Sequence, residues 1–133
     1  AQYKKHLFPQ QFLRLEAKPN SDFITDRAQA ELKLYTSILL KHPKARILIE
    51  GFIASDNDTP ENTRLSERRA NIVKQYMIDQ GINPEQLEAV GRGNQEPLAS
   101  NSTSAGRRIN RRIEISLLEE PSSPAKKYSK VID

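Results

Sequence analysis

Apolar residues along the chain fall into short periodic runs separated by polar breaks. Phe12-Leu13-Arg14-Leu15-Glu16-Ala17 alternates weakly and predicts a first strand, broken by Lys18-Pro19-Asn20-Ser21. Thr25-Asp26 then opens a helix, with Asp26 and Gln29 in capping-box spacing. Ala28, Leu32, Tyr35 and Leu39 fall at i, i+4, i+7 and i+11, one stripe of that helix, which Leu34 and Ile38 widen. Lys41-His42-Pro43 ends it, because proline cannot continue a helix and the cations suit the negative end of its dipole. Ala45 to Glu50, closed by Gly51, is almost continuously apolar and predicts a central strand buried on both faces. A polar loop from Ala54 to Glu61 precedes a second helix, from about Thr63 to Gln80, with Leu65, Ile72, Val73 and Tyr76 as its stripe and Gly81 at its C-cap. Gln86 to Val90 predicts a third strand, ended by Gly91-Arg92-Gly93. Glu96 to Arg108 reads as a long polar connection. Arg112 to Leu117 alternates strictly, so Ile113, Ile115 and Leu117 point inward from a half-buried last strand.

The order β-α-β-α-β-β predicts an α/β (α+β) sandwich, a mixed sheet with both helices packed on one face. Strands separated by helices pair in parallel through right-handed crossovers, and the long connection after residue 91 lets the last strand return beside another. Residues 1–11 are expected to be a lead-in and residues 12–118 the folded domain. Residues 119–133, rich in Pro, Ser and Lys, are expected to form a flexible tail.

With 133 residues the chain fits one domain. It has four Tyr, four Phe and no Trp, so the core must be built mainly from Leu, Ile, Val and Ala. The net charge of +4 suits an anionic partner and an ordinary soluble surface equally well. The absence of Cys excludes disulfides, thiolate metal sites and thiol nucleophiles. No apolar run approaches the roughly 20 residues of a membrane span, and no signal peptide is visible. Ala1 at the start suggests a mature or trimmed fragment.

Arg69 is the most informative single residue. At about 100° per residue it falls inside the apolar stripe of the second helix, whereas Arg68 turns toward solvent. A guanidinium there is costly unless it finds acceptors. Two roles are open to it: a structural pair with an internal Asp or Glu, or an anchor that grips a ligand carboxylate through two parallel hydrogen bonds. The basic run Arg107-Arg108-Ile109-Asn110-Arg111-Arg112 lacks the interleaved aromatics of a nucleic-acid surface and runs into a strand, so no nucleic acid is expected. His6 and His42 supply neither a catalytic set nor a metal pair. Asp56, Asp58 and Glu61 lack the glycine and spacing of a calcium loop. Gly91-x-Gly93 opens no helix and is no phosphate loop. No enzyme activity, metal or cofactor is predicted.

Several motifs stand in order. Ile47-Leu48-Ile49-Glu50-Gly51 is followed by Asn62-Thr63-Arg64-Leu65-Ser66-Glu67-Arg68-Arg69-Ala70. Then come Gly91-Arg92-Gly93 with Pro97, and Gly106-Arg107-Arg108-Ile109-Asn110-Arg111-Arg112-Ile113-Glu114. In these the stretch from Ile47 to Ile115 resembles the OmpA-like family of peptidoglycan-associated domains. The resemblance implies a non-catalytic module that holds peptidoglycan by the free carboxylate and amine of the stem peptide's diaminopimelate. Carried over by motif, Arg69 takes the carboxylate, and Asn62 and Arg111 lie at the ligand site. The family's loop reads Gly-aromatic-Thr-Asp, and its Asp meets the amine. Here the loop reads Gly51-Phe52-Ile53-Ala54, and the family's loop glycine is Asn57. Losing that acid removes a charge-assisted bond of about 1.5–3 kcal/mol, roughly one to two decades in affinity, unless Asp56 or Asp58 substitutes.

Two functions follow. One is a wall-binding module that tethers an envelope protein to peptidoglycan, with Asp56 standing in for the missing acid. The other is a degenerate domain that has lost wall binding and serves as a protein–protein interaction module, offering Phe52, Ile53 and Ala54 to an envelope protein. Both imply the periplasm of a Gram-negative cell and a parent protein anchored in the outer or inner membrane.

Overall fold

The computed structural model describes residues 12–119; the expected lead-in and nearly all of the expected tail lie outside them. Strand β1 (Phe12–Glu16) is followed by helix α1 (Asp26–Leu39), β2 (Arg46–Gly51) and α2 (Pro60–Asp79). A 3-10 turn (Pro84–Gln86) leads into β3 (Leu87–Gly91), then α3 (Ser104–Asn110) and β4 (Arg112–Glu119). The sheet runs β1-β4-β2-β3. Strand β2 pairs in parallel with β3, and β4 runs antiparallel to both β1 and β2. The expected mixed sheet is therefore present, and the long return after β3 is what brings the last strand to its centre.

One face of the sheet carries the core. Leu15, Ile47, Ile49, Ile113 and Ile115 join Leu32, Tyr35 and Leu39 of α1 and Val73 and Met77 of α2 in a single buried cluster. The Ala28-Leu32-Tyr35-Leu39 stripe is buried as expected, but Leu34 is 64% exposed and does not widen it. Thr25, not Asp26, caps α1: its Oγ1 accepts the Ala28 N–H at 3.2 Å. Strand β2 is central, yet only alternate residues, Ile47, Ile49 and Gly51, are buried. Arg46, Leu48 and Glu50 face the sheet's open side, so the near-continuous apolar run did not mean burial on both faces. On that side Glu50 and Glu114 stand opposite each other, each beside an arginine: Arg92 at 2.8 Å and Arg112 at 2.6 Å.

Helix α2 starts three residues earlier than its periodicity predicts. Thr59 caps it by accepting the Asn62 N–H at 3.1 Å, and Pro60 fills the first turn, where its missing N–H costs nothing. Its buried face is Ser66, Arg69, Ala70, Val73 and Met77 rather than the stripe through Leu65, Ile72 and Tyr76. The reason is close approach. A Cβ on Gly51 would lie 2.0 Å from the Ser66 carbonyl oxygen, and one on Gly91 would lie 2.4 Å from Glu67 Cγ. At this contact the small residues Ser66 and Ala70 therefore face the sheet, Val73 and Met77 continue the buried face into the core, and Leu65, Ile72 and Tyr76 flank it. Ser66 Oγ also accepts the Gly93 N–H at 2.9 Å, tying α2 to the turn after β3.

The segment expected as a featureless connection contains α3, capped by Thr103, whose Oγ1 accepts the Gly106 N–H at 3.0 Å. The helix packs so closely on the preceding loop that a Cβ on Gly106 would meet the Ser100 carbonyl oxygen at 1.8 Å. Seven residues are too short for hydrophobic periodicity to reveal.

Candidate functional site

Arg69 is 1% exposed, and its guanidinium is held by three backbone carbonyls. Nε donates to Ser21 O at 2.9 Å, Nη1 to Phe52 O at 3.1 Å and Nη2 to Lys18 O at 3.0 Å. The internal acid open to it in sequence is replaced by carbonyls from the β1–α1 loop and the end of β2. A guanidinium has five N–H donors. Three are spent, so one remains on each terminal nitrogen. Burial, then the neighbouring charge of Arg111, lowers its pKa to about 10, and Arg68 pulls the same way. Asp22 opposes them but is bonded to Arg68 Nε at 3.0 Å. Arg69 therefore keeps its charge at neutral pH with no carboxylate of its own.

Arg111 leaves the end of α3. Its N–H bonds to Arg107 O, its carbonyl accepts the Ala17 N–H, and its Nε is buried without a partner. The folded chain thus brings together two guanidiniums that stand 42 positions apart in sequence, both with unspent donors. Arg112, which sequence reasoning did not single out, is 2% exposed and stacks on the Phe52 ring, 3.8 Å from its centroid. Its Nε bonds to Glu114 at 2.6 Å and its Nη2 to Glu96 O at 2.9 Å. The Phe52 N–H donates back to Arg112 O at 2.9 Å. The residue whose carbonyl orients Arg69 is therefore clamped from both sides. The only sequence signal for Arg112 was its place as the last arginine of the basic run, where the last strand begins.

The loop from Phe52 to Thr59 carries the other expected residues. Asn62 reaches back from the first turn of α2, donating from Nδ2 to Asn57 O at 2.8 Å and Ser55 Oγ at 3.3 Å. It shapes the loop. Asn57 keeps a negative φ, so the loop follows its path without a glycine there. Ala54 is half-buried. Asp56 is exposed, and its Oδ1 accepts from Asn101 Nδ2 at 3.0 Å. It lies outside the set of charges acting on Arg69, which comprises Arg111, Asp22 and Arg68. Phe52 and Ile53 are 1% and 5% exposed, so the apolar mouth expected to offer them to a protein partner is closed by Arg112 and by the Ile53 N–H bond to Gly93 O.

Of the basic run, Arg108, Arg111 and Arg112 line one pocket together with Arg14 and Glu16. Arg107 Nη1 bonds to Asn101 O, Arg108 pairs with Glu16 at 3.0 Å, and Arg112 is buried. Among the described residues no three histidine, aspartate or glutamate side chains gather to hold a metal ion, and no helix is long and apolar enough to cross a membrane.

A four-stranded mixed sheet with two helices on one face and a buried arginine beneath the β2–α2 loop is the architecture of an OmpA-like domain. The chain belongs to the OmpA family of peptidoglycan-binding domains, whose family model matches residues 18–111. It is 32% identical over 111 residues to outer membrane porin F of Pseudomonas fluorescens, covering 80% of this chain and 34% of that protein. It is 40% identical over 73 residues to the peptidoglycan-binding protein ArfA of Mycobacterium tuberculosis, covering 55% of this chain and 22% of that one. The chain thus spans about a third or less of these relatives. Among solved structures it resembles the peptidoglycan-associated lipoprotein from Burkholderia pseudomallei, with a TM-score of 0.73, 28% identity, and coverage of 78% of this chain and 88% of that one. By name these relatives are an outer membrane porin, a peptidoglycan-binding protein and a peptidoglycan-associated lipoprotein.

Proposed function

We propose that this domain tethers an envelope protein to the cell wall by holding the diaminopimelate of the peptidoglycan stem peptide. Arg69, assisted by Arg111, takes the carboxylate. Asn62 holds the loop that frames the ligand, and Asp56 at the loop rim meets the ammonium in place of the acid missing at Ala54. The domain works in the periplasm, on a parent protein anchored in a membrane.

Support comes above all from the donor count at Arg69. A fully buried guanidinium normally ends on a carboxylate, and this one keeps a free N–H on each terminal nitrogen beside a second buried donor on Arg111. Two planar cations with no acid between them repel each other, and an incoming carboxylate relieves that repulsion while filling both donor sets. The burial of Phe52 and Ile53 weighs against a protein partner at the same mouth.

Cosedimentation with purified sacculi tests this. The wild type is expected to pellet, and Arg69→Lys and Arg111→Ala to shift to the supernatant while remaining folded by circular dichroism. A folded wild type that stays in the supernatant rules the wall ligand out.

A further inference from the structure

Asp56 is joined to the core by a chain of side-chain amides whose direction is set by the backbone. Asn110, 1% exposed at the end of α3, accepts the Leu98 and Ala99 N–H groups on Oδ1 at 2.7 and 3.0 Å. An oxygen taking two backbone donors fixes the orientation of that amide, because the reverse would set N–H against N–H. Its Nδ2 must then donate, and it does, to Ala99 O at 2.8 Å and to Asn101 Oδ1 at 2.8 Å. Asn101 is oriented in turn, with oxygen inward and Nδ2 outward. Its main-chain carbonyl is held by Arg107 Nη1 at 2.8 Å. The outward end of the chain is therefore a donor, and the group it meets is Asp56 Oδ1 at 3.0 Å. Among the described residues nothing bonds to Asp56 Oδ2.

We propose that Asn101 is a positioning residue that fixes Asp56 for recognition of the ligand ammonium, coupling the loop after β3 to specificity at the loop after β2. This rests on the function proposed above and adds a residue that works only through Asp56. Fixing one carboxylate oxygen from the protein side turns the other to the ligand and removes rotamer freedom that binding would otherwise have to freeze. It also explains how an acid two residues beyond the usual loop position can serve in a loop that carries Ala54.

The test uses the full chain and two soluble muropeptides, one with the free diaminopimelate amine and one with that amine acetylated, titrated by calorimetry. Wild type is expected to prefer the free amine. Asn101→Ala should lower that preference about three- to tenfold, the worth of one ordinary hydrogen bond, because Asn101 acts only through the placing of Asp56, while leaving the acetylated peptide's affinity unchanged. Asn101→Asp, which turns an acceptor toward Asp56, should lower it further. In an Asp56→Asn background, Asn101→Ala should have no additional effect. Thermal melts of each variant confirm a folded domain, and Asn101→Ser serves if the alanine variant does not fold. An unchanged preference in Asn101→Ala, or losses that add to those of Asp56→Asn, overturns the relay. If Arg69→Lys weakens both peptides at the same time, the wall-binding function survives that failure. A wild type that binds neither peptide overturns both.

Discussion

Replacing Arg69 with alanine should destabilise the domain before it says anything about the ligand. Three carbonyls lose their donor. The bond to Phe52 O is buried, so that oxygen is left unsatisfied at about 1–3 kcal/mol. The carbonyls of Lys18 and Ser21 are only partly buried and can rebond to water, so each contributes about 0.5–1 kcal/mol. Loss of the packed aliphatic stem adds roughly 1–2 kcal/mol. Relief from burying a charge beside Arg111 offsets roughly 1–2 kcal/mol of this. The net expectation is a loss of about 2–4 kcal/mol, which in a domain of this size is a fall in Tm of about 10–25 °C. Arg69→Lys keeps the charge and three donors on one nitrogen but cannot span three diverging carbonyls, so about half the loss should remain. Urea unfolding followed by far-UV circular dichroism measures both. If Arg69→Ala lies within about 0.5 kcal/mol of wild type, the carbonyl cradle is not structural and the energetic reasoning fails. The same figures make lysine the better probe of binding, because the alanine variant confounds a lost ligand contact with a loosened loop.

Three further perturbations separate buried contacts from surface ones. Gly51→Ala sets a methyl 2.0 Å from the Ser66 carbonyl oxygen and should cost more than about 3 kcal/mol or prevent folding, read from expression and melting. Arg112→Leu leaves Glu114 half-paired and uncovers Phe52, so about 2–4 kcal/mol should be lost in urea unfolding, with weaker sacculus binding as the Phe52 carbonyl loosens its hold on Arg69. Arg108→Ala removes an ion pair whose arginine side chain is 69% exposed and should change stability by about 0.5 kcal/mol or less in the same assay.

Elements and family were legible because their signals are local. The α1 stripe, the alternation of β4, the caps and breaks, and the ordered motifs from Ile47 to Ile115 each depend on neighbours in the chain. Arg69 was legible for the same reason, as a cation at an apolar helical position. What the sequence could not carry were contacts between distant segments. Which face of α2 is buried follows from how closely its backbone approaches Gly51 and Gly91, and small residues there defeat a rule that looks for large apolar ones. Helix α3 is too short to show a period. The partners of Arg69 are main-chain carbonyls, which every residue has and no side-chain pattern marks. Its neighbour Arg111, the clamp of Arg112 on Phe52 and the Asn110-Asn101-Asp56 chain join segments 42 to 60 positions apart. Local periodicity and capping therefore determined which elements form and to which family they belong. The tertiary structure alone decided which polar groups meet, because hydrogen-bond satisfaction in a buried site is settled only when distant backbone and side-chain atoms come within about 3 Å.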